Sequence, residues 1–210
     1  MPMVISGQVG NTPGAASAGA TTNPPLRLGN MIDLIVSELH GRYYEQAYRK
    51  TSFSGANQAA QAVTAAFATT YTGLVLYNPN GSGYNANLTK VGVGNSVVWP
   101  AASVLGVMIG QSTTAFSGVT ALTPKSRNVG SGASPVCGLA SAATLPVAPT
   151  LDTVLASIGT VATTAYETTP GLFDLEGGLL LPPGAFACVY STVALSAAGI
   201  FSMAWEEVPV

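Results

Sequence analysis

The chain has 210 residues, of which 48% are hydrophobic and only 8% carry a charge. Together with a mean hydropathy of +0.40, these values exclude a disordered chain, because disorder requires high charge and few apolar residues. A formal net charge of −2 provides no basic field for a phosphate backbone, so we expect no nucleic-acid partner.

Neither a membrane span nor a secretory signal is expected. The longest apolar stretch, residues 97–110, is broken by Pro100 and Ser103 and is shorter than the roughly 20 residues that a membrane helix needs. Residues 1–19 lack the basic start and the continuous apolar run of a signal peptide. We therefore expect no membrane partner.

Composition divides the chain into three segments. Residues 1–28 are rich in Gly, Ala, Ser, Thr and Pro, a composition that builds no core and predicts an extended arm. Residues 29–50 hold a dense group of charged side chains, whereas residues 51–89 contain no charged residue. We predict an amphipathic helix in the second segment and a β-sandwich domain over residues 51–210.

The predicted helix covers residues 31–49, with Asn30 as its N-cap and Asp33 near its positive end. Its apolar stripe comprises Ile32, Val36, Leu39, Tyr43 and Ala47. Pairs of opposite charge four residues apart support it, namely Glu38 with Arg42 and Glu45 with Arg49. Gly41 in the interior costs about 1 kcal/mol relative to alanine, which predicts either close packing or a break there.

Short strands and turns rich in Gly, Pro and Asn are predicted from residue 51 onward. Residues 58–70 fit a helix by propensity and a strand by alternation, and we favour a strand. Residues 78–83 and 182–184 have the composition of tight turns. Further strands are predicted at residues 73–77, 88–99 and 103–111.

Alternation is clearest in two strands near the end of the sequence. Period-two geometry puts three side chains on one face of each strand: Phe186, Cys188 and Tyr190 in the first, and Phe201, Met203 and Trp205 in the second. Many short strands with a single helix near the start indicate a mainly β fold. We predict an antiparallel β-sandwich of the jelly-roll type, preceded by the arm and the helix.

Few residues are candidates for catalysis. The sole histidine, His40, would have to serve any Ser-His-Asp or Cys-His mechanism, and we interpret it as a helix-face residue at an interface. Asp174 and Glu176 are two apart in a predicted strand, which would suit calcium or a glycosidase pair, but we favour a solvated edge. Glu206 and Glu207 are adjacent and point to opposite faces, and we expect them to protect a terminal edge strand from unwanted pairing.

The remaining polar groups and thiols are interpreted as structural. Cys137 and Cys188 are expected to be buried thiols, with a single disulfide as the alternative. Lys125 and Arg127 are expected in a solvated loop rather than an anion site. Four glycines lack the spacing of a phosphate-binding loop, namely Gly81, Gly83, Gly92 and Gly94. We predict no catalytic residues, no metal, no cofactor and no enzymatic activity.

Four phrases of the sequence resemble those of virion proteins from tailed bacteriophages. They are ELHGRYYEQAYRK (residues 38–50), TYTGLVLYNPNGSGYN (70–85), LEGGLLLPPGAF (175–186) and SMAWEEVP (202–209). In these phrases the chain resembles a family of small phage structural proteins that includes jelly-roll capsid decoration, or cement, proteins. The resemblance implies a β-sandwich that oligomerises on a capsid shell.

A function and its partners follow from the resemblance. It implies a protein of the virion, located on the capsid surface and synthesised in the host cytoplasm, that bridges neighbouring subunits of the major capsid protein and stabilises the shell. Low charge also favours association, since a surface with apolar patches and few charges suits an assembled state. We expect a homo-oligomer, a trimer in preference to a dimer. The predicted subunit and capsid interface comprises Leu26, Leu28, Ile32, Val36, Leu39, Tyr43, Tyr44 and Tyr48.

Two other functions stay open at this point. A head fibre, spike or tail-associated protein would bind host surface glycans through loops of the sandwich, and aromatic side chains at the loop tips would favour it. Residues 110–144 contain Phe116 as their sole aromatic, which argues against this function. An enzyme on a phage particle, such as a glycosidase or esterase, would have to use His40, Asp174 and Glu176.

Overall fold

The structure is a computed structural model that describes residues 42–65, 67–96, 99, 101–158 and 171–210. The chain divides into two units, Met1–Arg49 and Lys50–Val210. The predicted arm, residues 1–28, lies outside the described residues, as does most of the predicted helix.

The described helix of the first unit is α1, Tyr44–Tyr48. It lies within the predicted residues 31–49, but Arg42 and Tyr43 form a turn. Tyr43 has φ −104° and ψ 7° and provides no capping hydrogen bond. Of the two alternatives that the sequence left open at Gly41, close packing or a break, the turn at Arg42 and Tyr43 fits a break, which the weak helix propensity of glycine favours.

Twelve strands are described in the second unit. They are β1 (Ser52–Ala56), β2 (Gln61–Val63), β3 (Thr70–Tyr77), β4 (Tyr84–Asn95), β5 (Ser103–Gln111), β6 (Ser117–Ala121), β7 (Lys125–Ser126), β8 (Gly138–Thr144), β9 (Thr150–Ile158), β10 (Leu172–Leu181), β11 (Ala185–Ser191) and β12 (Leu195–Pro209).

These strands form two sheets. The first has the order β10-β4-β12-β1-β7, with β2 also paired to β12, and the second has the order β6-β8-β3-β11-β5-β9. Every pairing between described strands is antiparallel. Consecutive strands from β9 to β12 alternate between the sheets, as do β3, β4 and β5. This alternation is typical of jelly-roll connections, so the predicted antiparallel β-sandwich is confirmed.

The core lies between the sheets and follows the predicted alternation. Phe201, Met203 and Trp205 on β12 are all buried, which confirms that they share the inner face. The sheets approach closely where β1 passes β8, because a Cβ atom at Gly55 would lie 2.5 Å from Cδ2 of Leu139. Only a residue without a side chain fits at this point of contact.

The strand β11 departs from simple alternation. Phe186 and Cys188 are buried as predicted, but Ala187 and Val189 are fully buried as well. β11 lies between β3 and β5, and both of its faces are covered. Tyr190 is half-buried.

Several predicted boundaries shift in the structure. The strand predicted at residues 88–99 starts at Tyr84, directly after the predicted turn at residues 78–83, and ends at Asn95. The strand favoured over residues 58–70 is reduced to the three residues of β2, and Thr70 already belongs to β3. Lys125, expected in a loop, lies in β7, which pairs with β1.

Candidate functional site

The two carboxylates predicted to share a strand face lie on β10, an edge of the first sheet. Asp174 and Glu176 are both exposed, and the backbone N–H of Glu176 donates to Oδ1 of Asp174 at 2.8 Å. Glu176 has φ 54° in a bulge that interrupts the pairing with β4. Oδ2 of Asp174 lies 3.7 Å from Nζ of Lys90. This arrangement is the solvated edge that the sequence favoured.

The described residues also provide no metal centre. Among them, no group of three or more His, Cys, Asp or Glu side chains is placed to hold a metal ion. His40, the candidate general base, lies outside the described residues. The structure therefore brings together none of the candidate catalytic residues except Asp174 and Glu176, which are exposed to solvent.

Three predicted interface residues lie in the described part of the first unit. The rings of Tyr44 and Tyr48 stack with their centroids 5.8 Å apart, and 43% of Tyr44 is exposed. The guanidinium of Arg42 lies 5.4 Å from the ring centroid of Tyr43, and no residue of α1 is buried. The other predicted interface residues lie outside the described residues: Leu26, Leu28, Ile32, Val36 and Leu39.

The strand β9 forms an outer edge of the second sheet in the described part of the chain. Leu151 and Val154 face solvent, with 38% and 58% of their surfaces exposed. The register of β9 against β5 shifts twice, and such bulges hinder the addition of a further strand. This edge therefore presents apolar side chains rather than a regular row of free backbone groups.

The strand β10 forms an outer edge of the first sheet. Like β9, it has exposed apolar side chains and an irregular register. Leu172 is 62% exposed and Leu180 is 54% exposed. Its pairing with β4 is interrupted between Asp174 and Leu179. Both edges are thus bulged and carry exposed leucine or valine side chains, and covering them would contribute about 25 cal/mol per Å² of apolar area.

An open groove of about 440 Å³ crosses the outer face of the first sheet. Its floor contains the small side chains Ser54, Ala56, Ser202 and Ala204. Three cations line it, namely Lys90, Lys125 and Arg127. Strand pairing places Lys125, Ser54, Ala204 and Lys90 in one row across β7, β1, β12 and β4. The sequence did not reveal this groove, because the row exists only once four distant segments have paired.

Glu207 is a buried acid whose role sequence reasoning missed. It is 4% exposed; its Oε2 accepts the backbone N–H of Val136 at 2.9 Å and its Oε1 accepts that of Cys137 at 2.8 Å. The indole N–H of Trp205 also donates to Oε1, at 3.2 Å. Through these hydrogen bonds, Glu207 at the end of β12 binds the segment that precedes β8.

The prediction that Glu206 and Glu207 protect a terminal edge strand is wrong. β12 lies between β4 and β1 inside the first sheet, so it has no free edge along these residues. The two side chains do point to opposite faces: Glu206 is half-buried and accepts the hydroxyl of Thr51 at 3.2 Å. Side chains two residues apart in a strand lie on the same face, so Glu207 shares the buried face of Trp205. This alternation was the signal in the sequence from which the burial of Glu207 could have been predicted.

Both cysteines are free and buried, as predicted, and the alternative of a disulfide is wrong. Burial raises the pKa of both thiols above the ordinary range, and for Cys137 the negative charge of Glu207 raises it further. A protonated thiol is a poor nucleophile, so neither residue is equipped for catalysis.

The single aromatic residue of residues 110–144, Phe116, contacts two rings of the sandwich. The ring of Phe116 stacks on Tyr77 with centroids 4.8 Å apart and meets the ring of Phe186 edge-on at 5.3 Å. Burial also raises the pKa of the Tyr77 hydroxyl. Phe116 and Tyr77 are both half-buried, and their rings line an open pocket of about 280 Å³.

No described helix has the length and apolar character that crossing a membrane requires. Comparison with models of protein families, with curated proteins and with solved structures finds no match to the chain. The surfaces described above therefore carry the argument for function.

Proposed function

We propose that the chain is a structural virion protein that decorates a bacteriophage capsid and stabilises it by bridging neighbouring capsid subunits. The observation that carries the proposal is the character of the edges β9 and β10, where Val154 and Leu172 are more than half exposed. Contiguous exposed apolar surface marks sites that bind other proteins, and we propose that these two edges form such surfaces. The resemblance of four sequence phrases to phage decoration proteins supports the choice of partner.

The energetics favour a role in an assembly. A standard protein interface buries about 800 Å² on each partner, and apolar area contributes about 25 cal/mol per Å² before the costs of association. Only 8% of the residues are charged, so little charge has to be desolvated when a partner covers this surface. We propose that the partners are further copies of the chain, in a trimer or a dimer, and the major capsid protein.

Two of the phrases that resemble decoration proteins lie at connections between the sheets. Residues 70–85 contain β3, the following turn and the start of β4, and residues 175–186 contain the end of β10, a turn and the start of β11. The turn before β11 closes with a hydrogen bond from the N–H of Ala185 to the carbonyl of Pro182 at 2.9 Å. The resemblance therefore involves segments that connect the two sheets. This supports the proposal that the chain shares its fold with the decoration proteins.

The proposal is tested with particles assembled without the chain. We expect such particles to lose their genome at lower temperature or under milder osmotic stress than complete particles, and the purified chain to restore their stability when added back. An electron-microscopy map of the complete particle should show the chain on the shell surface at a defined copy number. Equal stability of particles with and without the chain would overturn the proposal.

A glycan-binding head fibre or spike is the alternative function. An array of glycans probed with the isolated protein separates the two functions, since a decoration protein is expected to bind none of them. Selective binding of one class of host glycan would favour the alternative. The rings of Phe116 and Tyr77, which line an open pocket, are the observation that favours this alternative.

A further inference from the structure

Three cations converge on the groove across the outer face of the first sheet. Lys90, Lys125 and Arg127 line it, and they are three of the seven Lys and Arg residues in the whole chain. A chain with so few charges concentrates nearly half of its positive charge at one surface feature. Such clustering creates a local positive potential in spite of the negative net charge.

The groove has the width of a polypeptide. Three strand spacings of about 4.8 Å separate β7 from β4, so the backbones at Lys125 and Lys90 lie about 14 Å apart. Between them the row contains Ser54 and Ala204, whose short side chains leave the space open. An extended segment or an α-helix of about 10 Å diameter fits between the two lysines.

The charge of the groove is largely uncompensated. Lys90 lies 3.7 Å from Asp174, which reduces its contribution. Lys125 and Arg127 are exposed, and no described acidic side chain lies at ion-pair distance from either of them. Positive charge therefore dominates at the β7 side of the groove.

We propose that this groove docks an acidic segment of a partner protein. The inference rests on the proposed function, which makes the partner the subunit of the capsid shell. Carboxylates of the segment pair with Lys125 and Arg127, and the hydroxyls of Ser54 and Ser202 on the floor are available to donate hydrogen bonds to them.

The lining of the groove favours a polypeptide over a nucleic acid or a glycan. None of the described residues that line it is aromatic, so it has no platform on which a base or a sugar ring stacks. The exposed Leu172 at the other end of the groove offers an apolar contact for a side chain of the docked segment. An acidic segment that also carries an apolar residue would match both ends of the groove, with its carboxylates at the β7 side and its apolar side chain at Leu172.

The test is a binding measurement with shells assembled without the chain. The variant carrying Lys125→Glu and Arg127→Glu is expected to bind shells about tenfold more weakly than the unchanged protein, because two attractions become repulsions. The control carrying Lys125→Arg and Arg127→Lys keeps the charge and is expected to bind normally. Binding of the unchanged protein should weaken as salt increases, and binding of the reversed variant should not.

The outcomes separate this inference from the proposed function. If the unchanged protein does not bind shells, the proposed function fails and the groove proposal fails with it. If the unchanged and the charge-reversed proteins bind equally well and both are folded by circular dichroism, only the groove proposal is overturned. Poly-L-glutamate is expected to displace the protein from shells at lower concentration than a dT oligonucleotide of equal charge, and the reverse order would overturn the choice of an acidic polypeptide.

Discussion

At the scale of single residues, the structure depends most on a carboxylate that is buried among backbone donors. Replacing Glu207 by alanine leaves the N–H groups of Val136 and Cys137 and the indole of Trp205 without their acceptor. Each buried group without a partner costs about 1 to 3 kcal/mol, so we expect the free energy of unfolding to fall by about 3 to 5 kcal/mol. Urea denaturation followed by the intrinsic fluorescence of the two tryptophans measures this change.

The neighbouring residue provides a matched control for this substitution. Glu206→Ala removes the same type of side chain from the same strand, but Glu206 is half-buried and its carboxylate accepts the hydroxyl of Thr51 rather than buried backbone N–H groups. We expect it to cost less than about 1 kcal/mol. Equal losses at the two positions would contradict the role assigned to Glu207.

The two thiols permit a prediction about pH and reactivity. Burial raises the pKa of Cys137 and Cys188, so at a pH of about 8, where an ordinary thiol is partly ionised, both remain protonated in the folded protein. We expect a chromogenic disulfide reagent to label neither thiol in the native protein and both in denaturant. Rapid labelling of one thiol in the native protein would show that its surroundings open to solvent.

At the scale of elements, the connection from β10 to β11 depends on one turn. Gly184 has φ 84° at the third position of a turn that begins at Pro182, the geometry of a type II turn. A Cβ atom at Gly184 would lie 2.5 Å from the carbonyl oxygen of Ser112. Gly184→Ala is therefore expected to lower the thermal midpoint and to cost more than about 2 kcal/mol, because strain and a backbone clash add together.

A second turn glycine separates the two contributions. Gly81 has φ 71°, but no atom lies within 4 Å of a Cβ placed there. Gly81→Ala should therefore cost only the backbone strain, about 1 kcal/mol. The difference between the two variants measures the clash, and similar losses in both would show that the turn before β11 relaxes.

At the scale of the whole molecule, we expect the exposed edges to promote self-association. Val154→Lys combined with Leu172→Lys adds charge to β9 and β10 at side chains that are 58% and 62% exposed. The doubly substituted protein should shift toward monomer in sedimentation experiments, while its free energy of unfolding changes by less than about 0.5 kcal/mol. If the unchanged protein is monomeric at high concentration, the proposed homo-oligomer is wrong.

An exposed side chain outside the edges provides the control for self-association. Val129 is 91% exposed and follows β7 in a loop. Val129→Lys adds the same charge as either edge substitution alone but removes no edge contact, so we expect it to leave the oligomeric state unchanged. A shift toward monomer as large as that of the edge variant would indicate that net charge, and not the edges, controls association.

Local patterns in the sequence were sufficient for much of the fold. The alternation of Phe201, Met203 and Trp205 predicted the buried face of β12, and the composition of residues 182–184 predicted the turn before β11. The helix was less certain because Gly41 left its continuity open, and the described part, Tyr44–Tyr48, is short. Burial of the two cysteines also followed from their number and spacing.

The sequence by itself determined the apolar face of a regularly alternating strand such as β12, because side chains in a strand alternate between its two faces and exposing the apolar ones costs free energy. Only the tertiary structure decided which strands lie at the edges, and hence that Glu207 is enclosed while Val154 and Leu172 are exposed. The groove likewise depends on pairings between segments far apart in the chain, which unite Lys90, Lys125 and Arg127. Strand order is set by the packing of whole sheets, and no local pattern of residues encodes it.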